Sequence, residues 1–215
     1  MILFGRYRSP FTRRVAVAMH IYGFEYEHRP ITAWTHLEEL RRLNPVGRVP
    51  ALQLDSGELL FDSYAILDYL DQLAGPHRAL LPAAEPRRHE VQRMIACAMG
   101  ALEKMAHALY AQTMVPPEKI HAPWIEHSEA QASSALRWLE AIEPSPWLAG
   151  QDLTHADVAT VVMFDFIGTA NPRFVEGHRY PKLRALSARA NDLPAFRQTF
   201  PSSSVDQSLP ALRAE

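Results

Sequence analysis

Ser9, Pro10, Phe11 and Thr12 stand between an apolar run, residues 1–4, and a segment with helical periodicity, residues 11–22. Proline suits the first position of a helix, where its missing N–H removes nothing the helix uses. Ser9 is then the N-cap, its hydroxyl beside unpaired backbone donors and the positive end of the helix dipole. Such a place suits an anion, and a thiolate held there is stabilised as cysteine thiolates are at helix N-termini. The motif has the shape of a Cys-Pro-x-Cys redox turn with serine and threonine in place of both cysteines. Disulfide exchange through it is excluded; holding the thiolate of another molecule is not. The same four residues also fit a plain helix cap.

A second candidate is Asp62-Ser63, ahead of a periodic segment at residues 64–73. A serine there turns its N–H and hydroxyl toward an incoming carboxylate at a helix N-terminus, and the aspartate can take an ammonium group. This pair also reads as a cap. The ten histidines show no paired spacing with cysteines or carboxylates that would hold a metal. Cys97, the one cysteine, lies among Ala96, Ala98 and Met99 and reads as an inert buried thiol.

The elements that must position these residues follow from pattern. Residues 1–4 and 25–31 read as strands around the helix at 11–22, which Gly23 can stop. That βαβ unit calls for parallel strands and a right-handed crossover. Residues 36–43 read as a short helix. Residues 51–54 and 59–61 read as a hairpin around Asp55-Ser56-Gly57-Glu58. After the helix at 64–73, Gly75-Pro76 is a stop. Three prolines in residues 75–86 mark a linker. Beyond it the pattern is helical throughout: 87–114, 118–142 with Pro123 interrupting its first turns, 154–168 and 181–190. Thr154 and Asp157 have capping-box spacing, with aspartate in place of glutamate. Trp124 and Trp147 read as packing residues, and the stretch from Ser202 as a loose tail.

A chain of 215 residues is enough for one large domain or two small ones. Its net charge of −2 gives no footprint for nucleic acid. No run approaches the roughly 18 apolar residues of a membrane helix, and the start is too short for a signal-peptide core. One cysteine excludes an internal disulfide and fits a reducing compartment, so a cytoplasmic protein is expected.

A βαβ–ββα unit of some 75 residues followed by a helical region resembles the glutathione transferase family, in its serine-type, bacterial-like cytosolic form. Four motifs carry the resemblance in order: Ser9-Pro10-Phe11, then Asn44-Pro45-Val46-Gly47-Arg48-Val49-Pro50, then Phe61-Asp62-Ser63-Tyr64-Ala65-Ile66, then Trp147-Leu148-Ala149-Gly150 with Leu153-Thr154-His155-Ala156-Asp157. The resemblance implies an α/β N-terminal thioredoxin-like domain (residues 1–75), a linker (76–86) and an all-α C-terminal helical bundle domain (87–215).

The resemblance also implies a cis Val49–Pro50 bond, which presents the Val49 backbone to an extended peptide as a strand edge would. Glutathione is the implied co-substrate, with no metal. Ser9 would donate a hydrogen bond to its sulfur, Asp62 and Ser63 would hold its γ-glutamyl end, and Arg48 or His36 its glycyl carboxylate. Family members often carry glutamate where Asp62 stands, which leaves a shorter reach to the ammonium. Tyr7 is the rival activator, and Thr12 a second donor. A small hydrophobic electrophile would meet Phe11 and Tyr7 on one side and Met105, His107, Tyr110 and Met114 on the other. The expected function is glutathione transfer in detoxification, by a homodimer without nucleic-acid or membrane partners. The alternatives are a glutathione-dependent isomerase or dehalogenase on the same site, or a non-catalytic binding module that kept the fold.

Overall fold

A computed structural model describes residues 1–176 and 179–201, so the expected tail from Ser202 lies outside the described residues. The chain forms two compact units. Met1–Ala83 with residues 190–201 make the first, and Ala84–Arg189 the second.

The first unit is built on a four-stranded mixed sheet in the order β2-β1-β3-β4. β1 (Ile2–Phe4) pairs in parallel with β2 (Glu27–Arg29) and antiparallel with β3 (Ala51–Gln53), which pairs antiparallel with β4 (Leu59–Leu60). The expected βαβ unit and hairpin are both present. β2 is shorter than residues 25–31, since Pro30 has no N–H for the ladder. α1 (Pro10–Tyr22) ends at Gly23, whose φ of 72° is the left-handed cap that favours glycine. α2 (Leu37–Leu43) follows β2, and α3 (Ser63–Ala74) follows β4. One core cluster gathers Phe4, Ile31, Leu40 and Ala51, with Ile2, Ala33, Leu43 and Val49 at its margin.

Much of the segment read as a linker is tied down. The Tyr22 hydroxyl donates to Asp71 and accepts from Leu80 N–H at 2.8 Å, while Arg78 donates to the Tyr22 carbonyl. A short helix, α8 (Pro194–Gln198), returns to α1. The buried Arg13 of α1 holds it there, donating to Asn191 Oδ1 at 2.8 Å and to the Phe196 carbonyl at 3.4 Å. Periodicity had no hold on five residues, so the sequence reading placed no element there.

The second unit is helical. α4 (Arg87–Met114) packs on α5 (Ala122–Glu140) and α6 (His155–Ala170), and α7 is Pro181–Asn191. α5 begins at Ala122 and takes Pro123 into its first turn, where proline is tolerated. The expected Thr154–Asp157 capping box is formed. Trp124 corrects an expectation: it is 55 % exposed on the first turn of α5, with His127 stacked on it, and is not a packing residue. Cys97 is half-buried, its thiol donating to the Ala135 carbonyl at 3.6 Å, and burial raises its pKa. No described helix is long and apolar enough to cross a membrane.

Candidate active site

Three turns of the first unit meet at one cleft, lined by Phe11, Asn44, Val46, Arg48, Val49, Pro50, Phe61, Asp62 and Ser63. The first turn joins β1 to α1. Gly5 sits there at φ +130°, and a Cβ on it would lie 2.4 Å from Thr12 Oγ1 and 3.0 Å from the Val49 Cβ. Only glycine lets this turn close against the Val49 loop. Ser9 caps α1 as expected, its Oγ accepting from Thr12 N–H at 3.4 Å with Pro10 next in line. A hydroxyl that accepts still has its proton to give, and Ser9 Oγ–H has no acceptor among the described residues. Thr12 itself is fully buried beside Gly5.

The second turn follows α2. Asn44 is buried and ties the loop together, accepting from Val46 N–H at 2.9 Å and donating to the Arg48 carbonyl at 2.9 Å. This fixes the approach to Val49–Pro50, whose peptide bond is cis. The Arg48 guanidinium stands 5.6 Å from the centre of the Phe11 ring, joining this turn to the first. The third turn opens α3. Asp62 caps it, Oδ1 accepting from Tyr64 N–H at 3.0 Å, and Ser63 is its first residue. The Ser63 N–H therefore has no partner within the helix.

Ser63 Oγ accepts from Arg14 Nε at 3.1 Å and Nη2 at 2.8 Å. Sequence reasoning passed over this arginine. In the sequence Arg14 stands in a helix, where an arginine usually faces solvent, and its partner is 49 residues away. Asn44 gave a fainter signal, the Asn-Pro pair of a turn.

The other candidates are dispersed. Tyr7 stacks on His28 with ring centres 4.0 Å apart, and its hydroxyl hydrogen bonds with Tyr26 Oη at 2.8 Å. Tyr26 also hydrogen bonds with His20 Nε2 at 3.1 Å. The Tyr7 hydroxyl thus belongs to a chain of aromatic groups, in which it either donates to Tyr26 or accepts from it. Ser9, Tyr7 and His36 are all absent from the cleft lining; Ser9 stands two residues before Phe11, which lines it, whereas His36 is exposed and hydrogen bonds with Thr35 Oγ1 at 2.7 Å. Within the helical unit, His107 and Tyr110 are exposed and Met114 is half-buried. Met105 is a correction: it is fully buried, its sulfur accepting from Asn171 Nδ2 at 3.9 Å, so it belongs to the core of that unit. No group of three or more potential metal ligands occurs among the described residues.

The aromatic chain carries a pH prediction. Burial lowers the pKa of His20. The unfolded chain then takes up this proton more readily than the folded one, so the stabilisation is complete above the ordinary histidine value of about 6.5 and is lost as pH falls through the folded value. His20→Gln is expected to flatten the fall of Tm between pH 7 and 5, measured by calorimetry.

Residues 3–78 match the N-terminal domain of glutathione S-transferase, and residues 102–198 match its C-terminal domain. A maleylacetoacetate isomerase of Pseudomonas aeruginosa is 33% identical, over 96% of this chain and 98% of its own. A zeta-class glutathione S-transferase of Euphorbia esula is 26% identical, over 97% and 93%. Among solved structures, a glutathione transferase family member from Pseudomonas fluorescens with bound glutathione is 27% identical, with a TM-score of 0.84 over 94% of this chain and 99% of that one. A glutathione S-transferase of Methylobacterium radiotolerans, in complex with glutathione sulfonate, has a TM-score of 0.89 at 22% identity, over 99% of both chains. A thioredoxin-like sheet with a cis-proline turn, a helical second unit and relatives along nearly the whole length lead to one conclusion: the chain belongs to the glutathione S-transferase family.

Proposed function

We propose that the protein binds glutathione in this cleft and that Ser9 stabilises its thiolate for attack on a small hydrophobic electrophile. The observation that carries this reading is the Ser9 hydroxyl, held at the N-terminus of α1 with its proton uncommitted. The bound thiol gives its proton to solvent. The sulfur then accepts from Ser9 Oγ–H near the positive end of the helix, which favours the ionised form. Ser9 is a donor and not a nucleophile. Ser9 is preferred over Tyr7 as activator because it stands at the start of α1, whereas Tyr7 Oη already hydrogen bonds with Tyr26.

The three turns divide the rest of the ligand. The Val49 backbone pairs with the cysteinyl residue, Ser63 takes the γ-glutamyl carboxylate, and the exposed Asp62 the ammonium. Arg48 takes the glycyl carboxylate, favoured over His36 because it lines the cleft. Arg48→Ala is expected to raise the KM for glutathione about tenfold, the scale of one charge-assisted hydrogen bond, with a much smaller change in kcat. Steady-state kinetics in glutathione checks this.

A second reading is favoured by the relatives named as isomerases. The thiolate adds to a cis double bond conjugated to a carbonyl, the adduct rotates about what is now a single bond, and elimination returns the trans acid and the thiolate. Both readings use the same sulfur and differ in whether glutathione is consumed. The test is to supply 1-chloro-2,4-dinitrobenzene and, separately, maleylacetoacetate, while following free thiol. Thiol lost in step with product supports transfer. Cis-to-trans conversion with constant thiol supports isomerisation. Glutathione binding without turnover of either leaves the binding module as the better account.

A further inference from the structure

Arg14 is almost completely buried, at 2 % exposure, beneath the start of α3. Its guanidinium carbon lies 4.1 Å from the centre of the Tyr64 ring, a cation–π distance that holds the group in place from one side. From the other side Nε and Nη2 both donate to Ser63 Oγ, at 3.1 and 2.8 Å. A hydroxyl oxygen has two acceptor positions and one proton. Arg14 approaches Ser63 Oγ with two N–H groups from one guanidinium edge, so the hydroxyl proton is directed away from the guanidinium, toward an acceptor elsewhere. Ser63 lines the cleft, and that proton has no acceptor among the described residues.

We propose that Arg14 is a positioning residue, acting through Ser63: it holds the Ser63 hydroxyl as an obligatory donor to a carboxylate bound at the start of α3. The cleft then discriminates in favour of ligands with a carboxylate at that end. A serine free to rotate accepts or donates with equal ease, and so receives an amide or an ammonium as readily. Fixed by a guanidinium it presents its proton and favours an anion over a donor. The N–H of Ser63 points to the same choice, and the arginine's charge lies one hydrogen bond behind the carboxylate. Arg14 touches no ligand in this account, which rests on the assignment of the cleft to glutathione.

The test compares two ligands by calorimetry: glutathione, and 4-aminobutyryl-Cys-Gly, which lacks only the γ-glutamyl carboxylate. Wild type is expected to prefer glutathione by roughly tenfold or more, as a charge-assisted hydrogen bond gives. Arg14→Gln is expected to bring the two affinities within about threefold, and Arg14→Lys, which keeps the charge and one donor, to fall between. Ser63→Ala is expected to lose the preference by itself, and Arg14→Gln added to it is expected to change nothing further. A merely structural arginine would weaken both ligands alike and leave their ratio as in wild type; that result overturns the proposal. Should both Arg14 variants fail to fold, Ser63→Ala decides, since a preference surviving without the hydroxyl is equally fatal. Failure of wild type to bind glutathione would instead overturn the assignment of the cleft, and the role of Arg14 with it. Discrimination in wild type that persists in folded Arg14→Gln overturns the role of Arg14 alone.

Discussion

Replacing Ser9 with alanine is expected to lower kcat/KM roughly 100- to 1,000-fold, the scale observed when one hydrogen-bond donor to a reacting anion is removed. The loss should fall on kcat. In the proposed binding mode most of the ligand is held elsewhere, by Arg48, Val49, Asp62 and Ser63, so glutathione binding should change only a few-fold. The fold should tolerate the change. Ser9 accepts a single long bond, from Thr12 N–H at 3.4 Å, and losing such a cap costs about 1 kcal/mol. Stopped assays at saturating glutathione, with Tm measured on the same preparations, separate the chemical effect from the structural one. A variant within fivefold of wild type would show that the hydroxyl is a cap and nothing more.

Removing the carboxylate of Asp157 is expected to be the most damaging single change to the second unit, by about 4 kcal/mol. The side chain is fully buried and accepts three hydrogen bonds: from Leu148 N–H at 2.8 Å, Thr154 N–H at 2.8 Å and Thr154 Oγ1 at 2.9 Å. Burial raises its pKa, and the hydrogen bonds to Leu148 and Thr154 work against that rise. Asp157→Ala leaves three buried donors unpaired. It frees the start of α6 and the turn at Trp147–Gly150 that Leu148 anchors. Asp157→Asn does little better, since its amide places donors against donors. Thermal unfolding should show a fall in Tm of about 10 °C. A fall under 3 °C would mean that water or a shifted backbone replaces the carboxylate.

What the sequence made legible was mostly local. Ser9-Pro10, Gly23 and the Thr154–Asp157 pair are caps whose partners lie within a few residues, so residue type and spacing suffice. The βαβ unit and the hairpin were readable for the same reason. What stayed hidden was set by partners far along the chain. Arg13 and Arg14 are adjacent and alike, yet one anchors α8 across 183 residues and the other reaches Ser63. Nothing in their neighbours separates a buried arginine from a solvated one. The course of Tyr7 was hidden too, since its direction depends on Tyr26 and His28 in and beside the neighbouring strand. The candidate site was legible where it is made of helix starts and turn residues. It was illegible where a second layer of side chains fixes those residues in place.

The measurement that tests the central claim most directly is an ultraviolet titration of glutathione bound to the protein, following thiolate absorbance against pH in wild type and in Ser9→Ala. A free thiol of this kind ionises near pH 8.5. The account predicts that the bound thiol ionises well below that in wild type, and that Ser9→Ala returns it close to the free value while glutathione stays bound. A depressed pKa that survives the substitution would contradict it, transferring the role to the end of α1 or to Tyr7. A bound thiol that ionises as it does in water would remove the basis for thiolate activation altogether.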